Sequence, residues 1–169
     1  MSEILNRLEV FCNSVGRCVA WLTLIMVFVT SIIVIGRYWF DLGSVRLQES
    51  LTYMHAAVLL LASAYTLASG GHVRVDIFYS KFSEKVKGCV NLVGTLFLLF
   101  PFCIFLIWFS LDYVALAWQI RESSKEAGGL PFPFPVIMKS LIPLASFLIL
   151  IQGIVIAAKS LLLIHKRDH

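Results

Sequence analysis

Of the chain's 169 residues 59% are hydrophobic and only 14% charged, a composition that excludes a soluble globule and marks an integral membrane protein. At roughly 20 apolar residues per crossing, the length allows about four membrane helices with short loops and leaves no room for a soluble catalytic domain. The net charge of +4 would point to nucleic acid in a soluble protein, but in a membrane protein Lys and Arg report orientation first, so no nucleic-acid partner is expected.

In chain order, Ile4, Leu5, Leu8, Phe11, Cys12 and Val15 recur at helical spacing and predict an amphipathic run-in along the membrane surface. Glu3, Arg7 and Glu9 precede the apolar run, and no small-residue cleavage site follows, so this stretch reads as retained chain rather than a signal peptide. The first transmembrane helix is predicted over about 17–39, because no charge falls between Arg17 and Arg37. It closes on Tyr38-Trp39-Phe40, an aromatic cluster suited to a membrane boundary. The second is predicted over about 47–69, stopped by Gly70-Gly71, with His55 the one strongly polar group in its uncharged part.

From Val75 onward, Val75, Phe78, Tyr79, Phe82 and Val86 fall three and four apart, with Lys81, Glu84, Lys85 and Lys87 opposite. The segment 72–83 is therefore expected to be an amphipathic helix lying on the membrane surface, anchored by Arg74, Val75, Phe78, Tyr79, Lys81, Phe82 and Lys85. A third helix is predicted over about 84–120, kinked at Pro101, with Asp112 beyond its uncharged span. A polar loop from Gln119 to Leu130, closed by Pro131, Pro133 and Pro135, leads into a fourth helix over about 133–163, interrupted at Pro143 and Gly153. The predicted fold is thus all-α: four long transmembrane helices in two hairpins, with an interfacial amphipathic segment between the second and third.

Four crossings place both termini on one side. That side and the middle segment carry Arg7, Arg17, Arg74, Lys81, Lys85, Lys87, Lys159, Lys166 and Arg167, whereas the opposite loops carry only Arg37, Arg46, Arg121 and Lys125. The bias predicts cytoplasmic termini and a cytoplasmic interfacial segment. Cys12, Cys18 and Cys89 then face the reducing compartment and Cys103 lies within the third helix, so disulfides are not expected.

Ionisable groups at membrane depth usually mark a solute or ion path, and this chain has almost none. A haem would need a second histidine level with His55, but His72, His165 and His169 all fall on the cytoplasmic side; an interhelical hydrogen bond is the expected role. No cofactor, metal or catalytic set is apparent. Glu49 lies three residues after Arg46, close enough on one helix face for the two to neutralise each other. Alternatively, Glu49, Asp112 and Lys139 meet partners on a second polypeptide near the outer interface, since each stands where an apolar helix begins or ends. The charges Arg46, Arg121, Glu122, Lys125 and Glu126 are either solvated or dock a partner. Paired broken helices related by an inverted repeat, the usual frame of a transporter's substrate site, are absent. The sequence looks like a scaffold with the chemistry elsewhere.

The string Gly71-His72-Val73-Arg74-Val75-Asp76, the loop with Glu122-Ser123 and Gly128-Gly129-Leu130-Pro131, and Lys139-Ser140-Leu141-Ile142-Pro143 resemble the small membrane subunit, the DctQ-type subunit, of tripartite ATP-independent periplasmic (TRAP) transporters. The chain departs from many such subunits in having Phe132 and Phe134 where they carry Trp after the loop proline. The resemblance implies a bacterial inner-membrane complex with a separate, larger M subunit. That subunit carries the substrate and sodium sites and moves as an elevator, while a periplasmic binding protein delivers an organic acid. The small subunit would not be an enzyme or the carrier; it would enlarge the static part of the complex, contact lipid, and offer part of the outer docking surface. The competing class is a stand-alone four-helix transporter acting as a homodimer. It would need a membrane-embedded carboxylate in its first helix, and Val19 to Ile35 holds none.

Overall fold

A chain this apolar can satisfy its backbone in lipid only by closing its hydrogen bonds within helices. The computed structural model describes residues 2–71 and 79–165, and all regular structure among them is helical. Four stretches are long and apolar enough to cross a membrane: Glu3–Trp39, Val45–Ala68, Glu84–Gln119 and Phe134–His165.

Helix α1 (Ser2–Trp39) runs unbroken for 38 residues, about 57 Å at 1.5 Å per residue. The N-terminal amphipathic run and the first apolar stretch are therefore one rod. Helix α2 (Val45–Ala68) starts at Ser44, whose hydroxyl accepts from the Leu47 N–H at 3.4 Å. It ends where Gly70 turns left-handed at φ 69°, letting the Gly70 and Gly71 N–H groups reach the Leu67 and Thr66 carbonyls at 3.3 and 2.9 Å. Of the expected surface anchors, Arg74, Val75 and Phe78 lie outside the described residues. Tyr79 is half-buried and exchanges hydrogen bonds with the Asn91 amide at 2.9 and 3.2 Å, while Lys81, Phe82 and Lys85 are exposed.

Helix α3 (Glu84–Gly94) is capped by Ser83 and passes through a π-helical turn, Thr95–Leu99, into α4 (Phe100–Gln119). The proline reading explains this turn. Pro101 has no N–H for the carbonyl four residues back and its ring crowds that carbonyl; the wider turn, with the Phe100 N–H on the Thr95 carbonyl, takes up the mismatch.

Helix α5 (Phe134–His165) lies between the α1–α2 hairpin and the α3–α4 rod and packs against all four. In its apolar stretch 39% of residues are buried, against 6% in α1 and α2 and 11% in α3–α4, which makes α5 the core element. Small residues allow this. At Gly153 a Cβ would come within 2.8 Å of Leu99 and Phe100 at the π-turn, so the two helices meet there only because no side chain intervenes. Cys12, Ala64 and Leu148 form a buried cluster joining α1, α2 and α5.

The arrangement is open rather than round. The chain exposes 11587 Å², whereas a compact monomer of its mass would expose about 8,400 Å². Much of the excess is hydrocarbon, with Trp21, Phe28, Phe97, Leu98, Trp108 and Phe109 all exposed.

Candidate docking surface

At the end of the bundle where Glu49 lies, the loop between α4 and α5 folds into a fixed cap. Helix α4 stops with Arg121 left-handed at φ 48°, and the Arg121 and Glu122 N–H groups bond the Trp118 and Ala117 carbonyls at 3.3 and 3.0 Å. Arg121 occupies the place where such a stop usually has glycine. The loop then closes on itself, with Ser124 N–H to Leu130 O and Gly129 N–H to Glu126 O, both 3.0 Å, and Glu126 N–H to Ser124 Oγ at 3.1 Å.

Glu49, in the first turns of α2, fastens this loop. Its carboxylate accepts from the Ser124 hydroxyl and, at 2.6 Å, from the Leu130 N–H. These charge-assisted bonds satisfy a half-buried acid that has no ion pair among the described residues. Gly129 is required beside them, because a Cβ there would sit 2.7 Å from Glu49 Oε2 and overlap Ser124.

A second fastening ties the loop to α5. Lys139 Nζ lies 2.5 Å from Glu122 Oε2, with side chains only 17% and 20% exposed, and 4.1 Å from the centre of the Tyr113 ring. An ammonium so enclosed is held by one carboxylate and one aromatic face. Trp118 Nε1 donates to Ser140 Oγ at 3.2 Å, and its indole meets Phe132 edge-on at 5.8 Å, just before the cis Phe132–Pro133 bond. Phe132 thus has a defined aromatic partner.

The structure sorts the sequence-predicted residues into two groups. Glu49 and Lys139 use their charge within the chain, and Glu122, read as a loop charge, is Lys139's partner. Arg46 forms no ion pair with Glu49 among the described residues; the carboxylate turns to the loop instead. Arg46, Arg121, Lys125 and Glu126 are exposed, with no ion pair among the described residues. Asp112 on α4 and His55 on α2 are also exposed. The expected interhelical bond from His55 is not made within the described chain. The roles of Ser124, Tyr113 and Ser140 went unread in the sequence. Their partners lie 75 residues away for Ser124 and 22 for Ser140, and only the Gly128-Gly129 pair hinted at a tightly closed loop.

The family model described as "Tripartite ATP-independent periplasmic transporters, DctQ component" matches residues 26–162. A comparison with curated proteins found no match.

Proposed function

The chain belongs to the DctQ-component family of tripartite ATP-independent periplasmic transporters, and from that premise we propose that it is the non-transporting scaffold subunit of a sodium-coupled transporter in a bacterial inner membrane. In this reading it supports a separate, larger elevator-type M subunit and helps a periplasmic substrate-binding protein dock, for uptake of an organic acid. The observation that carries the reading is the cap: Glu49 and Lys139 fasten the α4–α5 loop to two helices, while Arg121, Lys125 and Glu126 on the loop and Arg46 on α2 beside it are exposed, with no ion pair among the described residues. A loop already fixed presents its charges to a partner at little ordering cost.

The basic-residue bias supports a periplasmic cap, with both termini cytoplasmic. The open packing supports a static role: an elevator moves only against a part that does not, and long helices with aromatic boundaries resist displacement in the bilayer. With Glu49 and Lys139 bonded internally, Asp112 and His55 remain to face the larger subunit.

The test is to purify the tagged chain in mild detergent from its native host and identify what accompanies it by mass spectrometry. A stoichiometric large polytopic subunit is expected. A homodimer that moves ions by itself in liposomes overturns the scaffold reading. For the cap, charge reversal at Arg46, Arg121, Lys125 and Glu126 is expected to weaken docking of the binding protein and to flatten its salt dependence; unchanged docking removes that part.

A further inference from the structure

We infer that the face of α2 bearing Gln48, Thr52, His55 and Leu59 is where this chain meets a transmembrane helix of the larger subunit, with the His55 imidazole hydrogen-bonded to an acceptor on that helix in the outer half of the bilayer. The inference deepens the scaffold reading and rests on it.

Steps of four, three and four put these residues on one side of α2, and all four are exposed. The Thr52 hydroxyl is satisfied by the Gln48 carbonyl at 3.2 Å. The Gln48 amide and the His55 imidazole make no side-chain hydrogen bond among the described residues. From Glu49, fastened in the cap, to His55 is about 9 Å along the axis, within the outer half of a hydrocarbon core about 30 Å thick. An imidazole facing acyl chains there loses its water and gains nothing, because lipid tails hold no donor or acceptor. An acceptor on a neighbouring polypeptide restores the hydrogen bond that lipid tails cannot supply.

Towards the cap end, the stripe opens into two adjoining hollows of about 340 and 380 Å³ at the α1–α2 turn, which share Arg37, Gly43, Ser44 and Gln48. A polar stripe leading into a concavity fits a helix followed by its turn. A second copy of this chain fits poorly. A two-fold axis along the membrane normal brings equal depths together: it sets Arg37 beside a second Arg37 as well as Asp41, which lines the same hollow, and His55 beside His55, where one ring can donate to the other but each keeps a nitrogen unmet. A different chain can set a carboxylate or carbonyl against Arg37 and an acceptor against His55.

The experiment places photoreactive benzoylphenylalanine at Thr52 or Leu59, and for contrast at Phe105 on the outside of α4, in the tagged full chain expressed in its native host. Adducts with the large subunit are expected from Thr52 and Leu59. In parallel, His55→Leu is expected to lower recovery of the large subunit about three- to thirty-fold, and His55→Gln, which keeps a hydrogen-bonding group, to restore much of it. Adducts to the large subunit from Phe105 alone, or adducts between two copies from Thr52, overturn this face while copurification leaves the scaffold reading standing. Recovery unchanged by His55→Leu overturns the hydrogen bond, and absence of any copurifying large subunit overturns both readings.

Discussion

A carboxylate that accepts a hydroxyl and a backbone N–H, as Glu49 does from Ser124 and Leu130, holds its loop through bonds each worth about 1.5–3 kcal/mol. Glu49→Ala is expected to speed hydrogen exchange at the Leu130 amide at least about ten-fold, with little change in the α1–α5 contacts; an unaltered exchange rate means that the loop is held by its own turns. Lys139 and Glu122 are coupled differently, since each neutralises the other in a mostly buried setting. Lys139→Met alone strands the Glu122 carboxylate and is expected to cost about 1–3 kcal/mol. The double variant Lys139→Met with Glu122→Gln should cost less than the two single changes together, by about 1 kcal/mol. Thermal unfolding in detergent measures all three, and strict additivity would show the pair to be uncoupled.

Among the elements, α5 decides the fold, because it supplies the buried contacts for both the α1–α2 hairpin and the α3–α4 rod. Its contact with the π-turn leaves no room for a side chain at Gly153. Gly153→Leu must displace Leu99 or Phe100, and overpacking of this kind costs about 1–3 kcal/mol. The expected result is a lower unfolding temperature; an unchanged temperature means that α3–α4 shifts freely against α5. The π-turn also resets the register of α4 relative to α3, so the residues after Pro101, including Asp112, face a direction that a regular helix would not give them.

For the molecule as a whole, orientation is the quantity on which the cap's role depends. In a cysteine-free background, Lys125→Cys on the cap and Lys81→Cys at the other end report it directly. Lys125→Cys is expected to react with a membrane-impermeant maleimide in intact spheroplasts, and Lys81→Cys only after permeabilisation; the reverse pattern inverts the assignment of the cap. The exposed area of 11587 Å² belongs at this scale too. An open layer of helices has little interior to stabilise it alone, and in the scaffold reading proposed above lipid and a large subunit supply the missing neighbours.

By itself the sequence determined the all-helical membrane fold, since long uncharged stretches can satisfy their backbone in lipid only as helices. It also marked the stop at Gly70, the interruption at Pro101 and, through the spacing of its motifs, the family. These are local properties, written in residues a few positions apart. Tertiary structure alone decided that Glu49 turns from Arg46 to a loop 75 and 81 residues away, that Lys139 is enclosed by Glu122 and Tyr113, and that α5 is central. It also left His55 bare on the outside of α2. Helical periodicity names the residues that share a face, but all four helices are apolar nearly all round, so no periodic signal says which face meets protein and which meets lipid. Packing of small residues against large ones makes that choice, and it exists only once the helices are side by side.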